Sequence, residues 1–457
     1  MKYRQLNSKE ILKSKRFDGS YHNADVNIYN SVITSHSSHT LSFYCSEIFT
    51  SGRNKRVYTK AEFGDPFLSN SDASSSDPFN TCKYSSKKYG YDESALLKGG
   101  MILTGRVGAI GQTVFVPKYW EKYRAQGSDN IIRIVVKPQF KNGFIYTYLA
   151  SKIGNLSFWK HATGGVQPFI TDKMVGQLPI PDFSESFQQE VDNLMQEATR
   201  LREEAMEALE EAQKLIDDKF AHCRIQKGNS ISVKTIISSH NTRFEGQYYI
   251  SSNRSVYDYI TTHCEYKLLK ELSEKIFRPG IFKREYVKKG VTFLGGADIM
   301  MAIPDSNKKL SFRQVENMPE LLVQRGWILV TCGGTIGNTV CIDNQLARCA
   351  ISQHVMRVVP KEGTLKGFLY AFLSSNTGHD LINLYTSGSV IPQIEAHHLE
   401  RVPIPILEKE IMIHINSLVN TYISNLETSK VNETKAIRMV EQEIEKWNHY
   451  CPVKVDK

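Results

Sequence analysis

Apolar residues in the middle of the chain recur every seven positions. Val191, Ala198, Ala205 and Ala212 share one heptad position, and Leu194, Leu201, Ala208 and Leu215 share another. No proline or glycine falls between Pro181 and Gly228. The spacing predicts a long amphipathic helix whose alanines admit close approach by a second helix. A related run closes the chain: Ile411, Ile415, Leu418, Tyr422 and Leu426, then Ile437, Val440, Ile444 and Trp447. The polar stretch Thr428–Lys435 interrupts it, so the apolar seam is expected to break there. Two amphipathic helices of this kind are predicted to pair as an antiparallel coiled coil. Ahead of each, short β-type runs (IIRIVV, HVMRVVP) alternate with turn clusters (SGRN, GGAD, TSGS). One helix per half is predicted at FIYTYLASKIGN and FLYAFLSSNTGH. The class is therefore α+β.

The two halves are copies. TGGVQPFI followed by LPIP (residues 163–181) matches SGSVIPQI followed by VPIP (residues 387–405) at a constant offset of 224. Upstream, RFDGSY matches RFEGQY, IFTSGRNKRVY matches IFRPGIFKREY, and PFLSNSD matches TFLGGAD. MILTGRVGAIGQTV then matches WILVTCGGTIGNTV, and SDNIIRIVV matches SQHVMRVVP, the offset drifting only between 228 and 224. A unit of this size, in one order, is a duplicated domain rather than a solenoid repeat. The expected organisation is a first domain over 1–182, a central helix over 183–228, a second domain over 229–406 and a C-terminal helix over 407–457.

Composition narrows the function. No apolar run is long enough to span a bilayer, and the N-terminus lacks the apolar core of a leader. The eight cysteines are scattered, without metal or disulfide spacing; a cytoplasmic protein with reduced thiols is expected. The net charge of +9 is unevenly placed. Residues 183–220 hold eleven Asp/Glu against four Lys/Arg, a balance of −7 that leaves +16 on the remainder. Basic globular domains suit a polyanion, nucleic acid first.

The candidate chemistry is that of binding. TGRVGAIGQT and TCGGTIGNT fit neither GxxxxGK[ST] nor a GxGxxG that opens a helix. They read either as tight turns between strands or as loops whose backbone N–H groups approach phosphate. GxxKR places Lys55 and Arg56, with Arg53 beside them, on one turn, and Lys283 and Arg284 on its copy. Such a turn is either solvated or a phosphate and guanine contact. Gln167, Gln393 and Ser389 on the doubled loop, and Arg106, Gln112 and Asn338 on the glycine segments, complete the DNA-binding candidates. The pair His397-His398 lacks companion ligands, so no metal is expected. Asp77-Pro78-Phe79 only faintly echoes an amino-methyltransferase element.

These blocks, twice in one order and each ahead of a heptad helix, resemble the specificity (S) subunit of Type I restriction–modification systems over essentially the whole chain. The resemblance implies two tandem target-recognition domains, each followed by a long helix. Each domain would read one half of a split double-stranded DNA target. The helix pair would set the gap between half-sites and dock two methyltransferase (modification) subunits. S-adenosylmethionine, base flipping and methylation would reside in those partners, leaving this chain non-catalytic and without a cofactor of its own. A restriction/translocase subunit can join such an assembly, on the nucleoid and away from any membrane. Val191, Leu194, Leu201, Leu215, Ile415, Leu418, Tyr422, Ile437, Val440 and Ile444 are the expected helix-packing residues. Competing readings are a split-target subunit of another methylation-based phage-defence system, a DNA methyltransferase with degenerate motifs, and a scaffold that binds protein.

Overall fold

The computed structural model describes residues 7–448 except 15, 18, 20, 23, 54, 90–91, 165–166, 225–229, 239–243 and 387–391. The chain forms two compact units. The first comprises residues up to Glu203 together with those from Thr428 onward, and the second comprises Glu204–Glu427. Both boundaries fall inside long helices, the central helix Glu185–Phe220 and the C-terminal helix Lys409–Asn448. Each unit therefore holds one duplicated domain and a segment of each helix.

In the first unit, β1 (Cys45–Thr50), β2 (Ile102–Gly105), β3 (Thr113–Phe115) and β4 (Ile131–Val136) form an antiparallel sheet in the order β1-β4-β2-β3. Their β-branched residues suit a pleated surface, and Ile102, Ile132 and Ile134 are fully buried. Helices α1 (Asn142–Ala150) and α2 (Lys152–His161) follow. The sequence predicts one helix here, and the structure breaks it in two. Ser151 is extended and its side chain accepts the Gly154 N–H, which starts a new helix. A Cβ on Gly154 would lie 2.1 Å from the Tyr148 carbonyl oxygen, so only glycine permits so tight a break. A second sheet joins Tyr58–Thr59, Lys83–Ser86 and Gly64–Leu68, with Gln126–Gly127 parallel at its edge. The LPIP motif supplies the exit strand Pro179–Ile180, paired with His39–Thr40 ahead of the central helix.

The second unit repeats this plan. Strands β5 (Ser273–Phe277), β6 (Ile328–Thr331), β7 (Thr339–Cys341) and β8 (Val355–Pro360) are ordered β5-β8-β6-β7. Helices α3 (Lys366–Ser374) and α4 (Asn376–Asn383) break at Ser375, which caps Gly378. The VPIP motif forms the strand Pro403–Pro405 against Tyr266–Leu268. Prolines suit such two-stranded edges, where no ladder donor is missed.

Within each unit the helix segments run antiparallel. In the first, Phe183 meets Trp447 at 4.8 Å between rings and Ser429 Oγ donates to the Ala198 carbonyl at 2.6 Å. In the second, Asn425 lies by Glu204 at 3.3 Å, His414 by Glu211 at 3.5 Å and Lys219 by Glu408 at 3.2 Å. The heptad reading holds at Val191, Ala198, Ala205 and Ala212, all fully buried. It shifts at the other position. Leu194, Leu215, Leu418 and Ile437 are only half-buried, whereas Met195, Ile216 and Val419 are fully buried, as are Val440, Ile444 and Ile415. Leu201 and Tyr422 are buried as expected. The cause is that each segment packs on its own domain as well as on the other helix, which widens the apolar face beyond a two-position seam.

The same double duty appears in helix capping. Asp192 accepts the first N–H of α1's second residue, Gly143, at 2.8 Å, and Glu441 accepts that of Lys152 in α2 at 2.8 Å. In the second unit Asn416 accepts from Gly367 in α3 at 2.8 Å, and Asp217 from Asn376 in α4 at 3.2 Å. Both pairs of caps obey the 224-residue offset. The duplication therefore extends through the helices.

The expected seam break at Thr428–Lys435 is not seen: the C-terminal helix is continuous there. Ser429 and Glu433 are buried and satisfied. Glu433 accepts from Arg202 Nη2 at 2.5 Å and from the Tyr146 hydroxyl. A polar sequence thus fills a core position through a hydrogen-bonded network.

Candidate nucleic-acid interface

The repeated blocks meet at one place in each unit. The glycine segment of the first unit is the turn of the β2–β3 hairpin. Gly108 and Gly111 have φ of +77° and +75°, and a Cβ on Gly105 would lie 2.4 Å from the Ala109 carbonyl oxygen. The turn reading of this segment is therefore correct. Arg106 donates its N–H to the Asn130 carbonyl at 2.8 Å, and its own carbonyl accepts from Ile170 at 2.9 Å. Glycine turn, SDN loop and doubled phrase are so tied together by backbone. In the second unit Cys332 donates to the His354 carbonyl at 3.0 Å and accepts from Ile394 at 3.2 Å. The junction is the same, formed by corresponding residues.

Beside it lies an arginine clamp. The Arg56 guanidinium sits 5.3 Å from the Phe67 ring centre and donates from Nη2 to Asp129 Oδ1. Arg53 Nε reaches the other carboxylate oxygen at 3.3 Å. Arg284 sits 5.4 Å over Phe293 and donates to Gln353 Oε1 at 3.2 Å. Both acceptors are on loops held from behind by a fully buried arginine. Arg133 donates to the carbonyls of Ser128 (3.3 Å), Ile131 (2.8 Å), Ala95 (3.2 Å) and Gly127. Arg357 donates to those of Ser352 (2.9 Å), Leu321 (3.4 Å), Val355 and Ile351. Burial pulls the pKa of each of these two guanidiniums down to about 10, which still leaves them charged at neutral pH. In the first unit the clamp borders an open cleft of ≈590 Å³ lined by Arg56, Tyr58, Lys83, Gln112 and Asn130 among others.

Residues 264–436 match the family model described as Type I restriction modification DNA specificity domain. Over that stretch the chain is similar to a Type I specificity domain. Across its length the chain is also similar to the S subunit of a Type I restriction-modification system from M. genitalium, at 12% identity and a TM-score of 0.34, covering 89% of this chain and 94% of that one. It is similar likewise to the HsdS subunit from Thermoanaerobacter tengcongensis, at 14% identity and a TM-score of 0.28, covering 90% and 96% respectively. No curated protein sequence matches the chain.

The matched stretch contains Lys283, Arg284, Asn338, Ser389 and Gln393. Lys283 and Arg284 are exposed on the clamp loop, and Gln393 is exposed beside its bridge partner Gly333. Asn338 is placed otherwise: it is 7% exposed, and its backbone N–H donates to Thr331 Oγ1 in the β6–β7 hairpin. Ser389 lies outside the described residues. In the first unit Arg53, Lys55 and Arg56 are exposed together on one turn, Gln112 lines the cleft, and Arg106 is half-buried at the junction. Gln167 is exposed on the doubled loop, between Thr163 and Phe169, which bridge. Sequence reasoning missed Asp129, Gln353, Phe67, Phe293, Arg133 and Arg357. The last two carried a signal: a lone arginine at the same register of two apolar strands. Among the described residues no group of three or more His, Cys, Asp or Glu is placed to hold a metal, and no helix is long and apolar enough to cross a membrane.

Proposed function

We propose that this chain reads a bipartite double-stranded DNA target, one half per unit, and positions methyltransferase subunits on it. The carrying observation is that the backbone junction and the arginine clamp of the specificity domain recur in the first unit at the repeat offset. The first unit is then a second reader of the same construction. Exposed Arg53, Lys55, Arg56, Gln167, Lys283, Arg284 and Gln393, with cleft-lining Gln112 and half-buried Arg106, form the DNA faces. Asn338 is not among them. The chain performs no catalysis itself. Two modification subunits dock on it and supply S-adenosylmethionine chemistry, and a restriction/translocase subunit can complete the assembly.

The two domains differ in most residues between the matched blocks, so the half-sites differ. Mapping genomic methylation with and without the gene tests this. A bipartite, asymmetric methylated motif should vanish on deletion, and an unchanged methylome would sink the proposal.

A further inference from the structure

The two clamps are alike in scaffold and unlike at two positions. Phe67 pairs in parallel register with Gln126, two residues before Ser128 and close to Asp129 in sequence. Phe293 pairs with Ala350 in the same way, three residues before Gln353. Each arginine therefore has one face on a ring and one N–H edge on a nearly buried acceptor, Asp129 at 11% and Gln353 at 6% exposure. A guanidinium has five donors in a rigid plane. With one edge and one face fixed, the remaining coplanar N–H groups are pre-oriented. That is the requirement for bidentate donation to guanine O6 and N7.

The differences lie beside this scaffold. Asp129 binds two arginines, Arg56 and Arg53, whereas Gln353 holds Arg284. The counterpart of Arg53 is Ile281, a large apolar side chain that is 95% exposed. An isoleucine projecting from a DNA-facing loop offers no hydrogen bond, and its natural partner in the major groove is the thymine methyl group.

Resting on the bipartite reading above, we propose that Arg56 and Arg284 are the guanine-reading residues of the two half-sites. Asp129 and Gln353 position them. The Arg53/Ile281 position makes the half-sites differ, a second guanine in one and a thymine in the other.

The test uses the tagged full chain, isolated from its own host with the subunits that accompany it, and selection from duplex DNA carrying a randomised region. The parent chain should enrich a two-part motif with guanine in both parts. Arg56→Lys keeps the charge but loses the planar fork. It should reduce guanine preference at one position by roughly 10- to 100-fold and leave the other part intact. Asp129→Asn should weaken the same preference while thermal unfolding and the other half-site stay unchanged, which a purely structural role would not produce. Ile281→Arg, at a position too exposed to disturb the core, should replace thymine by guanine in the second part. A parent motif that Arg56→Lys and Ile281→Arg both leave unaltered overturns this assignment and spares the bipartite reading. Loss of both half-sites in Arg56→Lys also overturns it. Failure of the parent to enrich any two-part motif overturns the bipartite reading itself.

Discussion

Arg133 and Arg357 share one arrangement at corresponding positions of the two units. Each places an arginine with 0% exposure among carbonyls where a strand meets the acceptor loop. Buried carbonyls without a donor are costly, and a guanidinium satisfies several at once. The copies diverge at another residue. Gly111 of the first unit packs against Asn155, and its counterpart Gly337 against His379, whose Cδ2 would lie 2.9 Å from an added Cβ. Burial lowers the His379 pKa below its usual 6.5. Between that lowered value and 6.5, the unfolded chain binds a proton that the folded chain refuses. Stability therefore rises with pH through this window and is lost on acidification. His161, lowered for the same reason, acts with the same sign. His379→Asn, which installs the first copy's residue, should flatten but not abolish the loss of thermal stability between pH 7 and 5.5 on the order-of-magnitude scale of one titrating group. An unchanged slope would show that the imidazole is not the titrating group.

At the scale of elements, the two helix pairs solve one problem in two ways. In the first unit Arg202 and Glu433, with side chains 11% and 3% exposed, join Tyr146 in a buried network. Offset by 224, the corresponding residues of the second unit are Leu426, Leu209 and Tyr370, and Tyr370 stacks on Tyr422 at 5.9 Å between rings. The burial of Tyr146 and its contact with Glu433 push its phenol well above the usual pKa, so it remains a donor. Glu433→Ala should leave the Arg202 charge buried without its carboxylate, destabilising by about 3–5 kcal/mol. The double variant Arg202→Leu/Glu433→Leu copies the second unit and should recover most of that loss. Denaturant unfolding of the single and double variants measures both. If the double variant is as weak as the single, the network is not a replaceable substitute for apolar packing. The polar stretch was legible in sequence but its meaning was not, because a buried hydrogen-bonded pair and an exposed break have the same composition.

Across the whole molecule, charge is unevenly divided. The acidic balance of −7 lies on residues 183–220, and the remaining +16 lies elsewhere, including the loops that carry the clamps. DNA binding by those loops, as proposed above, would proceed through release of counterions from phosphate. Affinity of the full chain for duplex DNA should therefore fall steeply between 50 and 200 mM salt, by ~0.9 in log–log slope for each phosphate contact. Lys55→Ala and Lys283→Ala should each reduce the slope by about 1. Fluorescence anisotropy titrations at several salt concentrations give these slopes. A flat response would favour a protein-binding scaffold instead.

The amino-acid sequence by itself determined the duplication, the two long helices and the α+β class. These rest on periodicity and local turn chemistry, which are properties of neighbouring residues. It also marked the turn of Lys55 and Arg56 and its copy. Only the tertiary structure decided that Asp129 and Gln353 accept from those arginines, that Phe67 and Phe293 lie beneath them, and that Asn338 is buried. It also decided that Glu433 is a core residue. The carboxylate and amide acceptors lie 69 to 231 positions from their arginines, and burial of an individual side chain depends on what the rest of the chain brings against it.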